Sequence, residues 1–254
     1  MIDLEDRGVV TTLRMVRGKG NALHIDLVTA LLDALERLER GQARAGIITG
    51  QGNVFGAGVD LPALADGGAD YVRRFVPLLQ RLFQRLATFP KPLVAAVNGH
   101  AIAGGAIIML ACDQRLLARG TARIGLTEIR VGVLFPAWAL EIVRFSTPPP
   151  HFATLITTGR TLLPEEALLH GLVDELVEPA DLAARAHTVA EELAALPPAI
   201  FTATKLAVRR PLLEAAERQA ALTDAPLLEQ WCSPDTLRQV SEFVNKTIKR
   251  QGGA

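Results

Sequence analysis

An α/β core with a helical C-terminal extension is the fold class this sequence predicts, on two observations. Short apolar, β-branched runs alternate with helical periodicity as far as Pro179, and beyond it the strand signals stop and helices alone follow. The 254 residues make one large domain or a main domain with an appendage, and a hydrophobic fraction of 49% supplies a substantial core. The boundary is placed between an α/β core over 1–196 and a helical region over 197–254.

Residues 9–16 read as a strand and 18–21 as a turn. Over 25–38, Leu27, Val28, Leu31, Leu32, Leu35 and Leu38 form one helical stripe. A short buried strand over 45–49 runs into a glycine-rich loop, 50–58, and residues 61–68 are expected to be irregular, stopped by Asp66-Gly67-Gly68. A long amphipathic helix follows over 71–89. The run 93–113 is about as long as a membrane span, but Asn98-Gly99-His100 breaks it into a strand over 93–97 and a core helix over 106–112. Downstream, 114–118, 122–126 and 172–177 read as strands, with helices over 136–145, 152–158 and 164–170. Three longer helices close the chain, over 181–196, 198–217 and 234–249, with Pro197-Pro198 dividing the first two.

Lys plus Arg equals Asp plus Glu at 27 each, and no block of like charge stands out. That argues against a nucleic-acid surface or a polybasic membrane anchor. Cys112 and Cys232 suggest two reduced thiols, and the acidic start Met1-Ile2-Asp3-Leu4-Glu5-Asp6 lacks the basic head of a signal peptide. A cytoplasmic protein is the expectation.

The common motifs fail one by one. Gly50 and Gly52 fit the first two glycines of a dinucleotide fingerprint, but the third position holds Phe55. Gly18-Lys19-Gly20-Asn21 lacks P-loop spacing, the five histidines are scattered without ligand spacing, and there is no Gly-x-Ser-x-Gly elbow. No metal is expected. What remains is two glycine-containing loops that each follow a buried strand, and one isolated acid, Glu128. Strand, turn, Gly104-Gly105 and helix is a way to aim free backbone N–H groups into a cavity, because glycine lets a ligand approach closely.

These pieces resemble the crotonase, or enoyl-CoA hydratase/isomerase, superfamily. Lys19-Gly20-Asn21-Ala22-Leu23 resembles its early Asn-Ala-Leu element, and Phe55-Gly56-Ala57-Gly58-Val59-Asp60-Leu61 its Phe-x-x-Gly-x-Asp-Leu loop. Pro90-Lys91-Pro92 followed by Ala96 to Gly105 resembles its second signature, ending in Cys112-Asp113. The resemblance implies a spiral of ββα turns with a C-terminal helical part that builds trimers, often paired into hexamers. It implies an acyl-CoA substrate, with coenzyme A entering as part of the thioester and no permanently bound cofactor.

Residue by residue, the resemblance places an oxyanion hole on the backbone N–H groups of Val59 and Gly104. Ala22, Ala57, Asp60 and Leu61 fall at the substrate loops, with Asp60 expected to order its loop more than to catalyse. Phe243 and Lys246 sit where the family places ligand contacts on the last helix, and Lys19 is a solvated turn residue or a CoA-phosphate contact. Hydratases of the family use two glutamates. Here one position holds Ile107 and the other Glu128, in the setting Leu126-Thr127-Glu128-Ile129, whose apolar members would raise the acid's pKa on burial. Adding water is served by two carboxylates, whereas moving a double bond needs one base that takes and returns a proton. The resulting expectation is a Δ3-Δ2-enoyl-CoA isomerase-like enzyme with Glu128 as acid and base. The alternatives are a hydratase or other thioester reaction of the family, and an acyl-CoA-binding protein without turnover.

Overall fold

Parallel strand pairing and short connections wind the chain into a repeating spiral. The computed structural model describes residues 1–248; Lys249, where the sequence places the end of the last helix, and 250–254 lie outside the described residues. β1 (Ile2–Arg7) and β2 (Val10–Met15) form an antiparallel hairpin, and α1 (Ile25–Arg40) follows. Then come β3 (Ala45–Thr49), β4 (Val54–Gly56) and α2 (Leu61–Ala87), followed by β5 (Leu93–Val97), β6 (His100–Ile102) and α3 (Gly104–Leu110). A third turn is β7 (Gln114–Ala118), β8 (Ile124–Gly125) and α4 (Glu128–Val131). The chain continues through α5 (Ala137–Ser146), α6 (Pro149–Thr158), β9 (Thr161–Leu162), α7 (Pro164–Leu169) and β10 (Glu175–Val177). It ends in α8 (Leu182–Ala195), α9 (Pro198–Cys232), α10 (Pro234–Phe243) and a π-helical turn over Val244–Ile248.

The first strand of each ββα turn enters a six-stranded sheet ordered β1-β2-β3-β5-β7-β10, and the second enters a four-stranded sheet ordered β4-β6-β8-β9. From β2 to β10 the large sheet is parallel. Its central strands β3 and β5 are buried on both faces, which explains their unbroken apolar runs, while the edge strand β1 is largely exposed. Leu93, Ala95 and Val97 of β5 face the core built with α1, α2 and α3, while Val94 and Ala96 face Leu182, Ala186, Val189 and Ala190 of α8. Among the described residues no helix is long and apolar enough to cross a membrane. The run 93–113 is instead strand, short strand and buried helix.

Two expected boundaries are corrected. Residues 61–68 are helical, not irregular: the Asp60 carboxylate accepts from Ala63 N at 3.1 Å and caps α2, and Pro62 sits in the first turn, where a proline costs no hydrogen bond. The chain then kinks at Gly68, with φ 56° and ψ −152°. α9 does not stop near 217 but runs 35 residues, through Pro211 and Pro226, because Leu212, Ala216, Leu227 and Trp231 stay buried on one side. α9 and α10 pack on α2 and α5 of their own chain.

A buried charge cluster joins α9 to the core. Asp113, in the connection between α3 and β7, accepts from Lys205 Nζ at 2.6 Å and Arg209 Nη2 at 2.9 Å, and from the Leu93 N–H at 2.8 Å. Arg209 also donates to the carbonyls of Leu86, Ala87 and Ala111, and Lys205 to that of Lys91. Removing the shared carboxylate strands two buried cations, so Asp113→Ala should cost about 3–5 kcal/mol in urea unfolding. A loss under about 1 kcal/mol would show the cluster to be solvated and its carboxylate dispensable.

Candidate active site

The site begins where the turn before α1 meets the loop before α2. Asn21, buried with φ 47°, accepts from Arg17 N at 2.9 Å and donates to the Val54 carbonyl at 3.1 Å. Leu23 N donates to Gly58 O at 2.7 Å and Asp60 N to Leu23 O at 3.0 Å, forming an isolated parallel bridge between Leu23 and Val59. These two bonds flank Val59 and leave its own N–H without an acceptor among the described residues. Gly58 holds φ +81°, which an L side chain rarely adopts.

The second loop packs on the first, backbone to backbone. A Cβ on Gly105 would drive into the Gly56 carbonyl, and one on Gly58 would lie 2.8 Å from Ala103 Cβ and 3.5 Å from Gly104 N. Ala103 takes φ 50°, and its N–H donates to Gly125 O at 2.7 Å. The strained residue turns the chain into α3, and the Gly104 N–H likewise has no acceptor among the described residues. Two free donors thus lie on adjoining loops.

Both loops line a cavity of about 530 Å³, whose other walls include Phe83, Ile107, Val131, Val133 and Trp231. Glu128 enters it from the first residue of α4 and is only 8% exposed, with Oε2 buried and unpartnered among the described residues. Burial pushes this carboxyl up to about 8, against a small opposing pull from its own backbone N–H. The other carboxylate on the cavity wall, Asp60, is committed elsewhere: one oxygen caps α2 and the other pairs with Arg17 Nη2 at 2.7 Å. Glu128 is therefore the free carboxylate there among the described residues.

The C-terminal helices hold the segment that follows Glu128. Gln230 donates to Gly132 O at 3.1 Å and Trp231 Nε1 to Leu134 O at 3.0 Å. Gly132 ends α4 with φ 86°, and a side chain there would strike Gln239.

Val59, Gly104, Glu128, Ala22, Ala57, Asp60, Leu61 and Phe243 all reach this cavity, as does Ile107. Lys19 and Lys246 do not line it and are exposed. Ile129 is 51% exposed and no part of the apolar setting of Glu128, because α4 turns it outward; Ile107, Val131 and Val133 take that place. Sequence reasoning missed Arg17, Gln230 and Trp231, which act across long separations and carry no local pattern. Among the described residues no group of three or more His, Cys, Asp or Glu could hold a metal ion.

Comparison with known proteins agrees with this architecture. The family model for enoyl-CoA hydratase/isomerase matches residues 5–250, and the chain belongs to that family. A putative enoyl-CoA hydratase of Thermus thermophilus is 36% identical, over 89% of this chain and 91% of the relative. Human mitochondrial delta3-delta2-enoyl-CoA isomerase superposes with a TM-score of 0.92 at 26% identity, covering 99% of both chains. A probable enoyl-CoA hydratase of Mycobacterium tuberculosis H37Rv gives 0.84 at 31% identity, covering 90% of this chain and 96% of the other.

The buried acid has a measurable signature in stability. Its folded pKa of about 8 lies above the ordinary 4.5, so the folded protein binds this proton more tightly than the unfolded chain. The contribution is complete below pH 4.5 and is lost as pH rises through about 8. Glu128→Gln escapes that loss. Scanning calorimetry should show its Tm rising relative to wild type between about pH 5 and about pH 9; a constant difference would mean that Glu128 titrates as a solvated acid.

Proposed function

We propose that the protein moves the double bond of a 3-enoyl-CoA thioester to the 2-position, with Glu128 as the single proton carrier. The thioester carbonyl is placed between the Val59 and Gly104 N–H groups. The Glu128 carboxylate takes a proton from C2, and the electron pair of that C–H bond passes into a dienolate whose oxygen charge the two donors stabilise. Protonated Glu128 then delivers the proton to C4, the C3–C4 double bond is consumed, and a C2–C3 double bond forms, with no water used. An oxyanion donor of this kind is worth roughly 2.7–4 kcal/mol. Coenzyme A enters and leaves as part of the thioester, and no resident cofactor is required. Lys19 and Lys246 are available as exposed cations for its phosphates. A homotrimer or a dimer of trimers is what the family resemblance implies, and Ile200, Val208 and Leu222, exposed on α9, are apolar surface such an assembly would cover.

The observation that carries this reading is the pairing of Glu128 with Ile107. Both line one cavity, and Asp60 is held by Arg17 and the α2 cap, so no second free carboxylate is at hand there among the described residues. Water addition is served by two such groups. The Thermus thermophilus relative named a putative enoyl-CoA hydratase keeps hydration as the competing reading. Two assays separate them: appearance of conjugated-thioester absorbance from 3-enoyl-CoA, and its loss from 2-enoyl-CoA.

Glu128→Gln should lower isomerisation by about 10²–10⁴-fold while saturated acyl-CoA binding stays within about twofold. Near-wild-type turnover would sink the assignment, and binding without turnover by the wild-type protein would identify an acyl-CoA-binding protein. Because the base form is needed, kcat/KM should rise with pH to a midpoint near 8, the value burial gives this carboxyl. A flat profile across that range would contradict it.

A further inference from the structure

Arg17 lies outside the cavity wall, yet it contacts both strands of the bridge that presents the Val59 N–H. Its Nη1 donates to Ala22 O at 3.1 Å, and its Nη2 pairs with Asp60 Oδ2 at 2.7 Å. Ala22 precedes Leu23 and Asp60 follows Val59, so one guanidinium spans the two segments joined by the Leu23–Val59 bridge. Its own N–H is fixed by Asn21 Oδ1 at 2.9 Å, and the Arg17 carbonyl accepts from Asn21 N at 3.0 Å. The arginine is therefore held at its backbone by the turn and grips the loop with its side chain, which is 25% exposed.

The bridge decides which N–H groups are spent. Leu23 N goes to Gly58 O and Asp60 N to Leu23 O, and Val59 N is the one left over. A small slide of one segment along the other would misdirect that donor. Upstream of the bridge the segments are tied by Ala57 N to Gly20 O at 3.0 Å and Asn21 Nδ2 to Val54 O at 3.1 Å; on the Asp60 side the fork-shaped cation, contacting both segments, adds the resistance to such a slide. Asp60 is itself doubly committed, since its Oδ1 starts α2 by accepting from Ala63 N. The chain of contacts therefore runs from the turn before α1, through Arg17 and Asp60, into the first turn of α2.

We infer that Arg17 is a positioning residue for the Val59 N–H, fixing through Ala22 and Asp60 the bridge that leaves this donor free for the thioester oxygen. The inference rests on the oxyanion role of Val59; only its kinetic arm rests on the isomerase reading. Lysine keeps the charge but supplies a point donor in place of the planar fork, so it can hold one side of the bridge and not both.

The test compares wild type, Arg17→Ala and Arg17→Lys by three measurements. Acetoacetyl-CoA, a 3-ketoacyl thioester whose bound enolate absorbs in the near ultraviolet, reads the oxyanion donors without turnover. Butyryl-CoA, a saturated thioester, reads binding alone, and 3-enoyl-CoA isomerisation reads catalysis. Losing a donor outright costs roughly 10²–10³-fold, so a displaced one should cost Arg17→Ala roughly 10–100-fold in kcat. KM and butyryl-CoA affinity should stay within about threefold, the enolate band should weaken in step with kcat, and Arg17→Lys should recover part of both.

An unchanged enolate band in Arg17→Ala overturns the inference, whatever kcat does. A parallel collapse of butyryl-CoA affinity and the enolate band also overturns it, by making Arg17 a residue for folding or binding at large. A wild-type protein that forms no enolate band overturns the oxyanion role of Val59 together with this inference. One that forms the band but isomerises nothing overturns only the isomerase reading.

Discussion

Backbone meets backbone where Gly56 and Gly58 pass Ala103, Gly104 and Gly105, and the rest of the site depends on that approach. No side chain fits between the two loops at Gly105, and a Cβ at Gly58 would press on Ala103. The closeness is what allows two free N–H groups, from segments some 45 residues apart in sequence, to face one small cavity. It carries a conformational cost, because Ala103 sits at positive φ, of order 1–3 kcal/mol for a non-glycine residue. The strain persists because β6, which ends next to Ala103, is paired with β4 and β8, and the Ala103 N–H is itself bonded to Gly125 O.

The carboxylate is governed by a different constraint. Glu128 stands on a four-residue helix that could not hold its place alone. Its position comes from the C-terminal helices, which bind the carbonyls of Gly132 and Leu134 through Gln230 and Trp231. The same Trp231 closes the cavity wall, so the contact that places the acid also helps keep it dry. Desolvation then shifts its proton affinity into a range where it can both accept and return a proton near neutrality. α9 reaches this point because the Asp113–Lys205–Arg209 cluster fastens its first half to the core.

Much of this was legible in the sequence, and what was not has physical causes. The central strands of the large sheet were readable because burial on both faces makes them continuous apolar runs, and β3, β5 and β7 match their expected bounds; the exposed, charged edge strand β1 was not foreseen. β4, β6, β8 and β9 are two or three residues long, too short to show a period; only β8 falls inside an expected strand, 122–126, and the second sheet as a whole was not legible. Asp66-Gly67-Gly68 reads as a stop, yet Gly68 only bends α2, whose first turn already holds Pro62. Pro211 and Pro226 sit within α9, where tertiary packing outweighs two lost hydrogen bonds. At the site, the glycine loops and Glu128 were found from motif order. Arg17, Gln230 and Trp231 were not, because their partners are distinguished by three-dimensional placement and not by spacing. Ile129 was misassigned for the same reason: adjacency in sequence does not decide which face of a short helix turns inward.

If one buried carboxylate carries the proton between two carbons of the substrate, as proposed, an isotope placed on that proton follows it. Wild-type protein would be given 3-enoyl-CoA bearing deuterium at C2, in ordinary water, and the product analysed by mass spectrometry and NMR. A sheltered single base predicts 2-enoyl-CoA that retains deuterium at C4, with no 3-hydroxyacyl-CoA formed. Accumulation of 3-hydroxyacyl-CoA with the label washed into solvent would contradict it, and would show that water takes part at the carbon that Ile107 leaves without a second acid.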